Sequence, residues 1–312
     1  MRYAYFPGCS AASTGISFTL SASYVAKRIG LELVEMPDWC CCGTSAALVT
    51  SRDLAHALPA RSLALAEQAG LDLDVVTPCA GCFSSLKRTV HYARQSDKNR
   101  HRLEEIIELP YAATADVMSL LEVMARPEAM EPLAAAITKS LNGLRVASYY
   151  GCALVRPQEV TCFDDPEDPQ SMDSLMELAG AEPVRWAFKT ECCGASHQIS
   201  EPHGARRLIA RVFENAAANG AEAIAVACPL CMLNLDMREA GINESRAVPF
   251  DIPVFYFTEL LGLAMGGSAR RLGIDRHFWP TGKAVRKALA PPPEPSPDNH
   301  STSELPQEVT VA

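Results

Sequence analysis

The sequence contains no long hydrophobic run. A helix needs roughly 18 to 20 consecutive apolar residues to cross a bilayer, and the longest candidate, around Leu260 to Met265, is followed by Gly266-Gly267. Residues Met1 to Phe6 lead directly to Cys9, which leaves no room for a cleavable signal peptide before that cysteine. We therefore expect the protein to reside in the cytoplasm.

The sequence also lacks an excess of positive charge and any run of lysine or arginine. It has 28 Lys and Arg against 37 Asp and Glu, a net charge of −9 at pH 7, which argues against a general nucleic-acid-binding protein. Hydrophobic residues make up 48% and charged residues 21% of its 312 residues. This is the profile of a globular protein long enough for two domains.

Several familiar cofactor-binding and catalytic motifs are missing. The sequence has no GxGxxG, no ferredoxin-type series of closely spaced CxxC motifs and no recognisable Ser/His/Asp arrangement. Any flavin or cubane iron–sulfur cluster that the protein works with must therefore come from other chains.

Cysteine, by contrast, is plentiful, and ten of the twelve cysteines form two copies of one pattern. Each copy has a single cysteine, a Cys-Cys pair followed by glycine, and a CxxC motif. The first set is Cys9, Cys41, Cys42, Cys79 and Cys82, and the second set is Cys152, Cys192, Cys193, Cys228 and Cys231. The intervals nearly match, with 31 and 39 residues before the pair and 36 and 34 after it. The pattern indicates an internal duplication.

Short strands alternate with longer helical stretches in both halves, which is typical of a parallel sheet covered by helices. In the first half we predict strands at Tyr3–Phe6, Glu32–Met36 and Asp74–Thr77, and helices at Phe18–Ile29, Ala55–Ala69 and from Cys82 to Arg94. In the second half we predict strands at Arg145–Tyr149, Val184–Trp186 and Ala223–Ala227, and a helix at Ala205–Asn219. The segment 119–122 resembles 259–262 as a shared closing element.

The predicted fold class is α/β, with two pseudo-symmetric Rossmann-like domains, each a small parallel sheet flanked by helices. We expect the domains at residues 1–135 and 144–285, followed by a disordered, Pro-rich tail at 290–312. The cysteines of both sets follow predicted strands. Because strand exits of a parallel sheet share one edge, we expect each set to gather in one crevice.

Three chemical interpretations of the two sets remain open. Buried or disulfide-bonded cysteines are disfavoured by the duplicated layout and by a reducing compartment. A tetrahedral zinc ion needs four ligands and would leave one thiol over in each half. An iron–sulfur cluster, which has several irons to hold, can use all five thiolates.

The motifs Pro7-Gly8-Cys9, Cys41-Cys42-Gly43 and Cys192-Cys193-Gly194-Ala195 resemble those of the cysteine-rich CCG domain. Two such domains in one chain are similar to the B-type subunits of the heterodisulfide reductase family, over roughly residues 1 to 270. The resemblance implies that each five-cysteine set binds a noncubane 4Fe-4S cluster and that the two clusters face each other across a pseudo-twofold axis. It further implies that a disulfide is cleaved, or in sulfur-oxidising relatives formed, between them by one-electron steps, with no catalytic residue apart from the cluster ligands.

The resemblance also implies partners and alternatives. A ferredoxin-like C-type iron–sulfur subunit and a flavin-containing A-type subunit would exchange electrons with this chain, and the substrate would be a small disulfide, a thiol or a carrier-bound sulfur compound. The alternative is a non-catalytic electron-transfer or docking subunit of a glycolate, lactate or succinate-oxidising complex, with zinc replacing one cluster. A zinc-stabilised interaction protein is a third hypothesis.

Four further residues need an interpretation. Cys40 precedes the first Cys-Cys pair, and Gly43 favours Cys41 and Cys42 as the ligating pair, so we expect Cys40 and also Cys162 to lie outside the sets. We expect His197 to bond backbone, with donation to a cluster sulfur or substrate as the alternative. Lys87 is expected to be a solvated helix lysine, with attraction of an anionic substrate as the alternative.

Overall fold

The computed structural model describes residues 1–244 and 246–290 and contains two four-stranded parallel sheets. The first sheet has the order β2-β1-β3-β4 and the second has the equivalent order β6-β5-β7-β8. Helices flank both sheets, which confirms the predicted fold class. The predicted domain boundaries remain a prediction, and the predicted disordered tail lies, from residue 291 onward, outside the described residues.

The first half runs through four strands and seven helices in the order β1 Arg2–Tyr5, α1 Ile16–Arg28, β2 Glu32–Glu35, α2 Thr44–Thr50, α3 Arg52–Gln68, β3 Val75–Thr77, α4 Ala80–Gln95, α5 Asp97–Ile107, β4 Val117–Ser119, α6 Leu120–Met124 and α7 Pro127–Ala136. The second half follows as β5 Arg145–Tyr149, α8 Gln158–Thr161, α9 Ser171–Leu178, β6 Glu182–Pro183, α10 Pro202–Ala218, β7 Ala223–Val226, α11 Pro229–Asp236, α12 Glu239–Asn243, β8 Val254–Tyr256, α13 Phe257–Ala264, α14 Ala269–Leu272 and α15 Gly282–Leu289.

One detail of the sequence prediction is wrong. The strand predicted at Val184–Trp186 is instead the two-residue β6, Glu182–Pro183, and Trp186 lies after it with its Nε1 donating to the carbonyl of Ser148 over 3.1 Å. Helix α4 begins at Ala80, with Cys79 as its N-cap residue, as expected for a CxxC turn that opens a helix. The CxxC motif therefore lies on the first turn of the helix.

The shared closing element is present, but its two copies align differently from the prediction. In each half a three-residue strand runs directly into a helix, and a glutamate three residues after the last strand residue accepts the N–H of that residue. Glu122 accepts from Ser119 over 3.4 Å, and Glu259 accepts from Tyr256 over 2.9 Å. Glu259 is thus the structural equivalent of Glu122. The sequence prediction had aligned Glu259 with Ser119, which is three residues earlier.

The two halves pack together through α1 of the first half and α13 of the second. The ring of Phe18 on α1 stacks on Tyr256 with centroids 4.2 Å apart, and it meets Phe257 edge to face at 5.9 Å. Beside the rings, the hydroxyls of Ser21 and Thr258 lie 2.7 Å apart. All five side chains are buried, so the two halves share one continuous core.

None of the helices in residues 1–244 and 246–290 has both the length and the apolar character that crossing a bilayer requires.

Phe18 is predicted to be essential for joining the halves. Replacing it with alanine removes the stack on Tyr256 from a side chain that is 1% exposed, and we expect the free energy of unfolding to fall by about 3 to 5 kcal/mol. Phe278→Ala is the control, because that ring is 64% exposed and its removal should change stability by less than about 0.5 kcal/mol. Urea unfolding measures both. Equal effects of the two variants would contradict the interface described here.

Candidate metal centre

The cysteines lie just after the carboxyl ends of the strands in each sheet. Cys9 follows β1, the Cys41-Cys42 pair follows β2, and Cys79 follows β3. Because these strands are parallel, their exits lie on the same side, and thiols that are far apart in sequence become neighbours. The second set occupies the equivalent exits of β5, β6 and β7.

The thiols of the first set lie against one another in pairs. Cys9 Sγ and Cys41 Sγ are 3.6 Å apart, and Cys42 Sγ and Cys82 Sγ are 3.3 Å apart. The thiol of Cys79 in turn interacts with that of Cys82. All five predicted members of the first set are therefore brought together.

The second set repeats these pairings at equivalent positions. Cys152 pairs with Cys192, and Cys231 pairs with both Cys193 and Cys228. In both halves the glycine after the Cys-Cys pair directs its backbone N–H to the first cysteine of the pair. Gly43 N lies 3.5 Å from Cys41 Sγ, and Gly194 N lies 3.3 Å from Cys192 Sγ. The duplication seen in the sequence is thus a duplication of the site.

Pairing shifts the pKa values of the thiols in opposite directions. The hydrogen bond between Cys42 and Cys82 lowers the pKa of Cys42 to about 7 and raises that of Cys82. The bond between Cys152 and Cys192 likewise lowers the pKa of Cys192 to about 6, helped by the Gly194 N–H and nearby His197, and raises the pKa of Cys152. In these two pairs one member, Cys42 or Cys192, is therefore prepared to be a thiolate, the form that binds metal.

The two sets meet each other between the halves. Cys79 and Cys228, which are the first cysteines of the two CxxC motifs, interact through their thiols. Both are buried and both are N-cap residues, of α4 and α11 respectively. The two sets are therefore neighbours that meet at this pair of thiols. All twelve cysteines of the chain are free thiols, so no disulfide links them.

In each half, the glycine that precedes the first cysteine of the set leaves room for the thiol of the last cysteine of the set. Gly8 and Gly151 precede Cys9 and Cys152 and have φ of +77° and +69°. A Cβ at Gly8 would lie 3.0 Å from Cys82 Sγ, and one at Gly151 would lie 3.1 Å from Cys231 Sγ. Both positions therefore require glycine for the backbone and for the sulfur beside it.

The thiols are not arranged around single points. In residues 1–244 and 246–290, no three side chains of His, Cys, Asp or Glu converge closely enough to hold one metal ion. The sulfur atoms instead lie as linked pairs.

The structure separates Cys40 and Cys162 from the sets. The Cys40 thiol lies against α3, 3.4 Å from the carbonyl of Leu58, and its N–H donates to Ser62 Oγ. Cys162 is exposed and caps α8 at φ +48°, with its thiol 3.8 Å from the Glu159 carbonyl. That neither is a ligand stays a prediction.

The expectations for His197 and Lys87 fare differently. His197 is exposed on a short 3₁₀ turn, Ala195–His197, beside Cys192, and its expected bond to backbone stays a prediction. The expectation that Lys87 is solvated is wrong. Its side chain is only 12% exposed, and Nζ donates to Asp116 Oδ1 over 2.8 Å and to the Val117 carbonyl over 3.0 Å. Lys87 therefore fastens α4 to the start of β4.

A cavity of about 600 Å³, which was not predicted from the sequence, adjoins the second set. All five cysteines of the second set line it, together with residues of α2, α3 and α4 of the first half; the lining cysteines are Cys152, Cys192, Cys193, Cys228 and Cys231. The lining residues on α4 recur along one helix face, and this spacing is the signal by which they could have been found. They are Ala80, Gly81, Ser84, Ser85, Arg88, His91, Tyr92 and Gln95.

A polar contact behind the second set was also missed. Asn234 on α11 donates to the carbonyl of Cys193 and accepts from the side chain of Gln198. It ties the Cys-Cys-Gly turn to the helix that carries Cys231. An asparagine within a helix gives no sequence signal for such a role.

Known proteins resemble this chain over most of its length. The model of a family described as the cysteine-rich domain, CCG, matches residues 3–87 and 146–236. The 8-methylmenaquinol:fumarate reductase membrane anchor subunit of Wolinella succinogenes is 30% identical over 88% of this chain and 96% of that protein. The B subunit of the ferredoxin/F(420)H(2)-dependent CoB-CoM heterodisulfide reductase of Methanosarcina acetivorans is 29% identical over 88% of this chain and 93% of that protein.

A solved structure shows the same fold. The crystal structure of a hypothetical protein from Helicobacter pylori superposes with a TM-score of 0.70 at 13% identity, over 89% of this chain. The superposed region is 51% of that protein, so this chain spans about half of its length.

Gly8→Ala is predicted to disturb the first set, and Gly30→Ala is the matched control. Both glycines have left-handed φ, +77° and +65°, so both variants should lose about 1 to 2 kcal/mol of stability from backbone strain. Only at Gly8 does the new Cβ meet a sulfur, because nothing lies within 4 Å of the Gly30 position. Gly8→Ala should therefore lose a further ~1 to 3 kcal/mol from overpacking.

The measurements are urea unfolding of metal-free, anaerobically reduced protein and the rate at which Cys82 is alkylated, followed by mass spectrometry. Displacement of the buried Cys82 thiol should speed its alkylation in Gly8→Ala and not in Gly30→Ala. Identical stability and alkylation of the two variants would show that Gly8 is not needed beside Cys82.

Proposed function

The chain belongs to the family of the cysteine-rich CCG domain, which matches it twice, and from this premise we propose that it is an iron–sulfur subunit of a multi-subunit oxidoreductase of the heterodisulfide reductase type. The proposal is supported above all by one observation, that the chain holds two equivalent five-cysteine sets whose thiols interact with each other through Cys79 and Cys228. Relatives named as B subunits of heterodisulfide reductases, at 27% and 29% identity, support it.

The donor set fits an iron–sulfur cluster better than it fits a single ion. Thiolates are the ligands that clusters prefer, and linked pairs of thiols can reach several irons. A lone zinc ion needs four ligands around one point, which no group of the described residues provides. The glycines Gly8 and Gly151 keep the space beside Cys82 and Cys231 open on both sides.

We assign the ligands by the pattern that the family resemblance implies, one noncubane 4Fe-4S cluster to each set: Cys9, Cys41, Cys42, Cys79 and Cys82 in the first, and Cys152, Cys192, Cys193, Cys228 and Cys231 in the second. When bound, such a cluster supplies single electrons and iron with affinity for sulfur. Reducing a disulfide takes two electrons, so two equivalent, neighbouring sites suit the cleavage or formation of a sulfur–sulfur bond.

The chain's own residues prepare the site for this chemistry. The N–H groups of Gly43 and Gly194 donate toward Cys41 Sγ and Cys192 Sγ, and the bond from Gly194 helps to lower the pKa of Cys192. Both CxxC motifs lie at helix N-termini, where the helix dipole favours negative charge. The four cysteines of the two CxxC motifs are themselves buried.

Electrons have to reach the site from other chains. We propose a C-type ferredoxin-like iron–sulfur subunit and a flavin-containing A-type subunit as partners, because this sequence has neither a cubane-cluster motif nor a GxGxxG motif. Twelve free cysteines are also consistent with a reducing compartment, and on that ground we keep the cytoplasm as its proposed location.

A second function is favoured by one observation, the relative from Wolinella succinogenes that is named for a fumarate reductase. The chain would then be an electron-transfer or docking subunit and would not act on sulfur itself. Purification of the full chain from its native source distinguishes the two. A co-purifying flavoprotein that reduces fumarate or oxidises succinate supports the second function, and a disulfide-reducing complex supports the first.

Anaerobic purification with cluster reconstitution tests the cofactor directly. Two clusters predict about eight irons and a similar amount of acid-labile sulfide per chain, with a paramagnetic resonance signal on one-electron oxidation or reduction. Cys82→Ser should lose about half of the iron, because Cys82 serves only the first set. Cys162→Ser, on an exposed thiol outside both sets, should lose none. Less than one iron per chain, or stoichiometric zinc in both halves, would overturn the proposal.

A further inference from the structure

Four buried acid and base side chains of the second half belong neither to the cysteine sets nor to the cavity lining. Glu239 and Glu259 are 0% exposed and Asp236 is 4% exposed, and the side chain of His277 is 2% exposed. They come from α12, α13, α11 and the segment after α14, respectively. We call these four residues the acid cluster. Three buried carboxyls beside one histidine are costly to a fold, so their presence calls for a reason.

The members of the acid cluster are joined by hydrogen bonds and by charge. His277 Nε2 lies 2.9 Å from Glu259 Oε1. Asp236 accepts the N–H groups of Phe278 and Trp279, the two residues after His277, over 2.8 and 3.0 Å. The charge of Asp236 also acts on each of the other three members. The four groups therefore respond to protons as one unit.

The acid cluster contains polar atoms that the fold leaves unused. Glu239 Oε1 accepts the N–H of Ile252 over 3.2 Å. Glu239 Oε2 and His277 Nδ1, by contrast, are buried without a hydrogen-bond partner among the described residues. Buried polar atoms of this kind are rare in folded proteins. A free position on an acid and on a base is what a site needs in order to take a proton from one neighbour and give one to another.

Burial sets how the acid cluster holds its protons. It raises the pKa of Glu239 to about 9 and also raises the pKa values of Glu259 and Asp236. For His277, burial lowers the pKa, but the charge of Glu259 outweighs this effect and the pKa is raised. Glu239 is therefore neutral at pH 7, whereas Glu259 and His277, which pair as acid and base, can accept one proton more.

Tyr256 connects the acid cluster with the place where the two cysteine sets meet. Burial raises the pKa of its hydroxyl, and the charges of Glu259, Cys228 and Cys79 raise it further. The same residue therefore senses both the acid cluster and the two thiols. Its ring is fixed by the stack on Phe18, and all of these groups except the sulfurs' neighbours at the surface lie in the core. Charge is screened only weakly in such surroundings.

The acid cluster approaches solvent at Glu239. The charge of Asp251 contributes to the raised pKa of Glu239. Asp251 is itself exposed, and its Oδ2 pairs with Lys283 Nζ over 2.8 Å. Glu239 thus has an exposed acid as one neighbour and the buried Asp236 as another.

The first half has no equivalent of the acid cluster. Five residues after the second cysteine of the CxxC motif, the first half has Lys87 where the second half has Asp236. Glu122, the equivalent of Glu259, is only half-buried and pairs with Arg126 over 3.3 Å. The acid cluster is therefore a feature that one copy of the duplicated unit has and the other lacks.

From these observations we propose that the acid cluster is a proton site of the second half, in which the Glu259–His277 pair takes up a proton when an electron reaches the second cysteine set and Glu239 passes that proton inward from solvent. The added negative charge strengthens the hold of the pair on a proton. Tyr256 is a positioning residue between the pair and the sulfurs.

For the electrons and their use, this inference rests on the proposed function. Cleavage of a sulfur–sulfur bond breaks the S–S bond, reduces both sulfurs with two electrons and yields two thiolates. Each thiolate has to receive a proton to leave as a thiol. A one-electron iron–sulfur partner supplies the electrons, and solvent supplies the protons. A buried site that takes up a proton with an electron keeps the two supplies in step.

Infrared spectroscopy of the metal-free, anaerobically reduced full chain tests the resting state. The wild type should show the stretching band of a buried, protonated carboxyl at pH 7, and part of this band should be lost as the pH rises through about 9, the pKa of Glu239. Glu239→Gln should lack that loss. Glu122→Gln, which alters the equivalent of Glu259 in the first half, should retain it. A wild type without this titration, or a Glu239→Gln variant that keeps it, would contradict the assignment of Glu239.

Proton uptake on reduction tests the Glu259–His277 pair. The reconstituted full chain is reduced photochemically in weakly buffered solution with a pH-indicator dye and without any sulfur substrate. The wild type should take up about one proton per chain more than Glu259→Gln. Glu239→Gln should take up the full number, but about 10-fold or more slowly. Glu122→Gln should match the wild type in number and in rate. His277→Gln is a second variant of the pair and should also lose the proton.

Iron content and circular dichroism are measured on the same samples. A Glu259→Gln or His277→Gln variant that is folded, holds iron and takes up as many protons as the wild type would overturn this inference alone, and so would an unchanged uptake rate in Glu239→Gln. Wild-type protein that binds no iron after reconstitution refutes the proposed function, and the coupling of the acid cluster to electrons falls with it.

Discussion

The geometry of parallel strands is the constraint on which the rest of this protein depends. Each sheet sends its strand exits to one edge, and the packing of α1 against α13 joins the two halves in one core. The stack of Phe18 on Tyr256 lies at that junction, and Tyr256 is the last residue of β8, in the same sheet as the strand that leads to Cys228. A contact deep in the core is therefore connected, through one strand pair, to the place where Cys79 and Cys228 meet.

How much of this could be predicted from the sequence depends on the range of the interactions involved. The parallel α/β class, the strand Arg145–Tyr149 and the grouping of each set follow from local pattern and strand order, and the structure reproduces them. The position of the strand near Val184 differs from the prediction, and the indole of Trp186 has its partner in Ser148, a residue on another strand. The environment of Lys87 does not follow from local pattern, since its partner Asp116 is 29 residues away.

The two halves are duplicates that have diverged where they touch. The first CxxC motif encloses Ala80 and Gly81, and the second encloses Pro229 and Leu230. A Cβ at Gly81 would lie 2.9 Å from Thr44 Cγ2 and 3.5 Å from Leu230 Cδ1. The tight approach at Gly81 is therefore to Thr44 of its own half, and Leu230 of the other half comes within ordinary van der Waals distance of the same position. The helices that follow differ as well, because α4 has 16 residues and α11 has only 8. The extra length of α4 carries Arg88, His91 and Tyr92, so the α4 wall of the cavity has no counterpart on α11.

The crowding of thiols also explains why the site is divided into pairs. Ten thiolates in two neighbouring sets would repel one another strongly, and neighbouring acids in such a position cannot all ionise. The pairs resolve this conflict, because the proton retained by one member is hydrogen-bonded to the sulfur of the other, as with Cys42 and Cys82. When bound, iron would supply positive charge in place of those protons and would let both members ionise. The close approach of the sulfur atoms, which makes the metal-free pairs hold on to protons, therefore also suits an iron–sulfur cluster, and the left-handed glycines beside Cys9 and Cys152 permit that approach.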